Sequence, residues 1–252
     1  MTPNWPAPSR VRCAFTLRTG GVSASPYDSL NLGAHVGDAP EAVHENRRRL
    51  RDRLRLPAEP AWLQQVHGTA VVDLDASGTR VSRHAGAAAA LEPARADAAV
   101  ARLEGRVCVV QVADCMPVLF AARDGSAVAA AHAGWRGLSA GVLEEVVRTL
   151  GLPPEGLLAW LGPAISQGHF EVGDEVRTAF MSADPETESA FEANARGRWQ
   201  CDLYALARRR LAALGIEAVS GGDGCTYADA ARFFSFRRDG RCGRMAALIW
   251  LE

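Results

Sequence analysis

The segment Pro117-Val-Leu-Phe-Ala-Ala-Arg-Asp124-Gly125-Ser-Ala-Val-Ala-Ala-Ala-His132 reads as two short apolar strands joined at Asp-Gly. Residues 117–122 and 126–132 supply the strands. Asp124-Gly125 signals a two-residue type I′ turn, in which both central residues take positive φ. Such a turn pairs Arg123 with Ser126, and counting back sets Pro117 opposite His132. Pro117 has no N–H to give a ladder, which suits a strand start. Cys115 then lies at the same open end of the hairpin as His132. Diagonal neighbours of this kind sit roughly 7–8 Å apart, close enough for side chains to converge. The chain enters this end through Ala113-Asp114-Cys115 and leaves through His132-Ala133-Gly134-Trp135-Arg136-Gly137. Gly134 and Gly137 would let backbone approach a ligand before a helix begins.

Working outward, residues 97–101 and 106–112 read as strands, the second with Val107, Val109, Val110 and Val112 and so buried on both faces. Residues 61–66 and 69–74 read as extended around Val66-His67-Gly68. Residues 76–96, with an Ala-rich stretch from Gly86 to Leu91, read as a loop, and 11–17 as a first strand. Asp38 is the expected N-cap of a helix running to about Leu54, with Pro40 and Glu41 in its first turn and Val43, Arg47, Leu50 and Leu54 along one stripe. Helical spacing recurs over 138–150, 172–182 and 202–214, the last capped by Asp202. Residues 157–161 are a short strand. A final hairpin is expected to join 231–237 to 243–251 across Arg238-Asp239-Gly240. Mixed strands and helices, frequent hairpins and no repeat or linker favour one α+β domain over 1–252, not a doubly wound parallel sheet.

A chain of 252 residues can bury a core without disulfide staples. Its net charge of -1 gives no field that favours nucleic acid or an anionic membrane. No apolar run reaches membrane-spanning length. All 28 basic residues are arginine. The lack of lysine excludes Schiff-base chemistry and the phosphate-binding lysine of Walker-type loops. An anion must therefore be held by Arg, backbone N–H groups or metal. The six cysteines form no CxxC pair and the N-terminus has no signal pattern, so reduced thiols in the cytoplasm are expected.

His67, in Gln64-Gln65-Val66-His67-Gly68, is a third candidate beside Cys115 and His132. Cysteine with two histidines suits two site types. One is a mononuclear zinc with three protein ligands and an open fourth position. The other is a nucleophilic thiol activated by a histidine base. His44 and His84 read as surface residues, and His35 and His169 stand near possible rims.

An ordered series of segments resembles the YfiH-like laccase-domain family, described as purine nucleoside phosphorylases and also as polyphenol oxidases. The series runs through Arg18-Thr19-Gly20-Gly21-Val22-Ser23, Ser29-Leu30-Asn31-Leu32-Gly33, Glu45-Asn46-Arg47-Arg48 and Gln64-Gln65-Val66-His67-Gly68. It continues through Ala113-Asp114-Cys115, His132 to Gly137, Leu161-Gly162-Pro163-Ala164-Ile165 and Phe233 to Gly240. The resemblance implies a layered α/β/β/α sandwich and places His67, Cys115 and His132 as zinc ligands, with copper as the other metal claimed for members. It implies phosphorolysis of adenosine, inosine and methylthioadenosine, and deamination of adenosine. A peptidoglycan-editing role has also been proposed for bacterial members. One departure is Ser166-Gln167-Gly168-His169, where members often carry Cys or another small residue.

Within that frame each remaining residue takes an expected role. For deamination, water activated by the metal would attack C6 of adenine, with Asp114 as proton donor; as a strand-end residue, Asp114 would instead cap local backbone. For phosphorolysis, Arg18 and Arg136 are expected to hold phosphate, with Arg237 third. Asn31 and Gln65 could bind base or sugar, although Asn31 could equally stabilise its turn. Of Phe233, Phe234 and Phe236, at least one should be core and another could stack on a base. The expected partners are a small nucleoside and phosphate, with no nucleic acid or membrane, for a monomer or small homo-oligomer. The alternatives are a copper polyphenol oxidase, for which six histidines are few, a thiol hydrolase acting through Cys115, and a non-enzymatic binder with a structural metal.

Overall fold

A computed structural model describes residues 1–76 and 93–252. Most of the 76–96 segment, with the Ala-rich stretch and His84, lies outside the described residues. The strands are β1 (Val11–Phe15), β2 (Val71–Asp73), β3 (Ala98–Ala101), β4 (Val107–Val112), β5 (Met116–Ala122), β6 (Val128–Ala133), β7 (Leu157–Leu161), β8 (Glu171–Val172), β9 (Phe191–Ala193), β10 (Trp199–Cys201), β11 (Val219–Gly221) and β12 (Met245–Leu251). The helices are α1 (Pro40–Leu54), α2 (Trp135–Ala140), α3 (Val142–Leu150), α4 (Asp174–Met181), α5 (Leu203–Ala213) and α6 (Phe236–Asp239).

The hairpin of β5 and β6 forms the middle of a six-stranded mixed sheet ordered β11-β7-β5-β6-β3-β2. Its register is the expected one, with Pro117 opposite His132. The turn differs. Gly125 has φ 75° but Asp124 does not take positive φ. Gly125 N–H bonds the Ala122 carbonyl, so residues 123–126 make a longer loop built on an ordinary turn. The Asp124 carboxylate accepts from Ser126 N–H at 2.9 Å, which favours local turn closure over the left-handed pair that type I′ demands.

Alternation along these strands serves two cores at once. Val118, Phe120, Ala129 and Ala131 pack against Leu138, Val142, Leu143 and Val146 of α2 and α3 and Leu206, Ala207 and Leu211 of α5. Leu119, Ala121, Val128 and Ala130 face the other way, onto Phe15, Cys108, Val110, Ala247 and Ile249 of an antiparallel sheet ordered β1-β12-β4. The far face of that sheet, through Val107, Val109, Leu248 and Trp250, is covered by Leu50 and Leu54 of α1. The layers are therefore helix, sheet, sheet, helix, as the resemblance implied. Each fully buried Leu or Phe contributes about 1.5–3 kcal/mol, and the alanine faces of β3 and β6 let the layers close at short range. A small antiparallel sheet, β8-β10-β9, lies beside α4.

Four expectations change. The 138–150 helix begins earlier and is split by Gly141 at φ 99°, giving α2 and α3. Ala39, not Asp38, precedes the first turn of α1 without a side-chain cap. Asp38 instead accepts bonds from Ser23 and Asn31. The final hairpin does not form: only β12 is a strand, and β1 and β4 flank it. Residues 236–239 turn into α6 because the Ser235 hydroxyl caps it by accepting from Arg238 N–H. Within 61–66, only Gln64 makes a bridge, to Arg95. Asp202 does cap α5, accepting from Ala205 N–H at 3.0 Å.

Candidate metal centre

Two β-ladders set the centre. β6 pairs with β5 on one side and β3 on the other, so the row that holds Pro117 and His132 continues to Asp97, just before β3. His132 N–H donates to the Asp97 carbonyl at 2.7 Å, and His132 Nδ1 lies 2.8 Å from Asp97 Oδ1. Asp97 is fully buried. Its carboxylate also accepts three successive backbone N–H groups: Val66 at 3.1 Å, His67 at 2.9 Å and Gly68 at 2.7 Å. This is an anion-binding nest, and it requires His67 to sit at φ 61°. The left-handed conformation costs roughly 1–2 kcal/mol, and the charge-assisted bonds, each worth about 1.5–3 kcal/mol, more than offset it.

The nest delivers the His67 imidazole to within 3.8 Å of Cys115 Sγ through Nε2. The His67 and His132 rings meet edge to face at 4.8 Å. One donor atom each from His67, Cys115 and His132 lies within 4.8 Å of the others. Tetrahedral zinc with bonds of about 2.0–2.3 Å separates N and S donors by about 3.5 Å, so the three could hold a single ion with little movement. Facing Nδ1 of His132, Asp97 would keep a proton there when an ion displaces the one on Nε2, as in a carboxylate–histidine–metal relay. Gly134 lies across from Cys115, and a Cβ there would stand 2.9 Å from Sγ and 3.1 Å from His67 Cδ2. The expected role of Gly134 thus shifts: it makes room for the Cys115 and His67 side chains.

The electrostatics fit a thiolate. Burial opposes ionisation of Cys115, but the charge and hydrogen bond of His132, with His67, bring its pKa down to about 6. Burial opposes protonation of His132, yet Cys115 and Asp97 raise it to about 9. Burial likewise opposes ionisation of Asp97, and the His132 and backbone bonds win, holding it below the usual carboxylate value.

A cavity of about 230 Å³ opens over Cys115 and His67. Trp135, Phe170 and Phe236 give it aromatic walls, and Asp114, Arg136 and Arg237 also line it. Arg136 is exposed and stacks 4.4 Å over Trp135. Arg237 reaches the Glu171 carbonyl and lies over Phe170. Asp114, at φ 89°, accepts from the Thr226 hydroxyl at 2.6 Å and from Arg237 N–H at 2.7 Å. Both of its oxygens thereby fix the turn into Cys115.

Other candidate residues stand apart from the cavity. Arg18 is pinned by Asp28 and the Ala230 carbonyl, over Phe234. Buried Asn31 bonds Gly33, Asp38 and Arg244 N–H. Gln65 pairs through both amide atoms with the Gln111 backbone, closing the open edge of β4. Phe233 and Phe234 are core, and Phe236 is exposed. Asp97 was missed by sequence reasoning; its one signal is an acid heading the apolar run Ala98-Ala99-Val100-Ala101.

Fold and centre together define an α+β protein with a two-histidine, one-cysteine site at the open end of a hairpin. Residues 12–252 match the family described as multi-copper polyphenol oxidoreductase laccase, and the chain belongs to that family. It is 54% identical over 253 residues to a purine nucleoside phosphorylase of Pseudomonas aeruginosa, covering 100% of this chain and 98% of that one. It is 51% identical over 251 residues to the purine nucleoside phosphorylase YfiH of Escherichia coli, again covering 100% and 98%. A crystal structure of a Neisseria meningitidis protein superposes with a TM-score of 0.91 at 47% identity, covering 100% of this chain and 98% of that one. YlmD of Geobacillus stearothermophilus gives 0.87 at 30% identity, covering 97% and 93%.

Proposed function

We propose that the protein is a zinc-dependent purine nucleoside phosphorylase that acts on adenosine, inosine and methylthioadenosine and also deaminates adenosine. The observation that carries this reading is the His67–Cys115–His132 group, braced by Asp97, at the floor of an aromatic-walled cavity with a free arginine. Relatives named purine nucleoside phosphorylase along the whole chain support it. When bound, the ion supplies Lewis-acid activation at its open position. The chain's own residues bind and orient. Phe236, Trp135 and Phe170 offer faces to a purine. Arg136, which has no carboxylate partner among the described residues, is the first choice to hold phosphate against ribose C1′, with Arg237 beside it. Phosphate oxygen then bonds C1′ as the bond from C1′ to the purine nitrogen breaks, and the proton that hydrogen phosphate gives up passes to the leaving purine nitrogen. Asp114 holds Cys115 and the Arg237 backbone in place. Zinc-loaded protein incubated with adenosine and phosphate should yield adenine and ribose-1-phosphate, with inosine from the deamination; none of these products from fully loaded protein would end the proposal.

Copper oxidation fits less well, because the three ligands are the one such group among the described residues, and multicopper chemistry needs several. A thiol hydrolase has one specific observation in its favour, the run from Cys115 through His132 to Asp97, which has the order of a nucleophile, base and orienting acid. A covalent adduct on Cys115 from a muropeptide analogue, formed in metal-free protein, would support it.

A further inference from the structure

His169 takes no part in the metal centre. It follows Ser166 by three residues and stacks on Tyr227, ring centres 4.6 Å apart and nearly parallel. Its Nδ1 is 3.3 Å from the Ser166 hydroxyl and 3.7 Å from Cys225 Sγ. The Ser166 hydroxyl donates to that sulfur at 2.9 Å, and Ala228 N–H donates at 3.4 Å. The Ala164–Cys225 bridge fixes the two segments side by side. Sulfur is a weak acceptor when neutral, so several donors aimed at one sulfur mark a place built for a thiolate. The site is also open: Cys225 is half-buried and His169 is exposed.

We propose that Cys225, Ser166 and His169 form a second reactive-thiol site, distinct from the metal centre, whose co-substrate is a hydroperoxide and whose product is a sulfenic acid on Cys225. The Cys225 thiolate attacks one oxygen of hydrogen peroxide. The S–O bond forms as the O–O bond breaks, and the departing hydroxide takes a proton relayed from solvent through His169 and leaves as water. Sulfur loses two electrons and the peroxide gains them. Ser166 steadies the anion before attack, and exposed His169 recovers its proton from solvent. The surroundings agree: burial opposes ionisation of Cys225, and the bonds from Ser166 and the backbone of Ala228, Ser166 and Tyr227 nonetheless bring its pKa below the ordinary value. Low pKa with access is the combination that makes a thiol sensitive to oxidation.

Cys13 is a built-in control. It is also half-buried and takes a bond from Trp5 Nε1 at 3.3 Å, but burial pushes its thiol up. Metal-loaded full-length protein is treated with hydrogen peroxide, sulfenic acid is trapped with a 1,3-dione, and each cysteine is read separately by peptide mass spectrometry. Cys225 should be trapped on the order of tenfold faster than Cys13. Ser166→Ala should slow Cys225 severalfold and leave Cys13 unchanged. His169→Gln should slow the peroxide reaction more than alkylation by iodoacetamide, whose leaving iodide needs no proton. Trapping of Cys225 no faster than of Cys13, or no effect of Ser166→Ala, would overturn the site. Equal slowing of both reactions by His169→Gln would overturn the role given to His169.

Discussion

Replacing Asp97 by asparagine changes one atom and no volume, yet it should damage both the fold and the metal centre. Oδ1 accepts from His67 N–H and faces His132 Nδ1, and Oδ2 accepts from Val66 and Gly68 N–H. An amide can match only one of these pairs. With its oxygen toward His132, its NH₂ meets the Val66 and Gly68 donors, and two N–H groups lose their acceptor. With its oxygen toward Val66 and Gly68, its NH₂ meets the His67 donor and donates to His132 Nδ1. That moves the imidazole proton to Nε2, where a metal must bind. A buried orphaned donor costs about 1–3 kcal/mol. Val66 and Gly68 are partly open to water, so a loss of about 2–3 kcal/mol in total is expected, at the lower end of that range for two donors. Loss of a carboxylate behind a metal-binding histidine lowers affinity about 10–100-fold. Urea unfolding of metal-free protein, followed through its six tryptophans, and competition with a chromogenic zinc chelator measure the two effects. An Asp97→Asn protein with unchanged unfolding midpoint and zinc affinity would show that the nest and relay carry neither burden.

Gly134→Ala should leave the fold intact and weaken metal binding on the order of tenfold, because its Cβ would press on Cys115 and His67; the same chelator competition reads it. In metal-free protein, the ultraviolet thiolate signal removed by Cys115→Ala should titrate near pH 6, well below an ordinary thiol at about 8.5. Stability should change little through this pair between pH about 6.5 and 8.5: the folded pair carries one proton on His132, and the unfolded chain carries one on Cys115. Asp97, held low when folded, contributes stability above its unfolded pKa of about 3.9, lost as the pH falls through the folded value, so acid unfolding should begin on that side in a pH series of urea melts. Phe236→Ala, at a side chain 58% exposed, should leave the melting curve unchanged and raise KM for a nucleoside about 5–100-fold, the worth of one aromatic face against a base.

The layered fold was legible wherever periodicity was strong. Val107 to Val112 reads as a strand buried on both sides because a sheet covers one of its faces and α1 the other, and the hairpin register followed from Asp124-Gly125 even though the turn type did not. What failed was long-range. The pairing of β12 with β1 and β4 joins distant segments, and no local signal opposes a hairpin around Arg238-Asp239-Gly240 until Ser235 caps α6. The candidate site was legible in part: the hairpin alone brings Cys115 to His132, but His67 arrives only through Asp97, whose place opposite His132 depends on the β3–β6 ladder. Arg18, Asn31 and Gln65 illustrate the converse. Each stands in a recognisable motif and spends its hydrogen bonds on turns and strand edges, a use that spacing cannot separate from ligand binding.

β12 occupies the middle of its sheet, with β1 on one side and β4 on the other. Until it arrives, the faces of β5 and β6 that carry Leu119 and Val128 have no complete partner layer. Assembly must therefore wait on contacts between remote stretches of chain, which makes folding slow relative to helical proteins of equal stability. A growing polypeptide on the ribosome would hold an apolar, half-covered sheet from the completion of β6 until β12 is made, and chaperone demand in the cell should reflect that delay more than any weakness of the finished molecule.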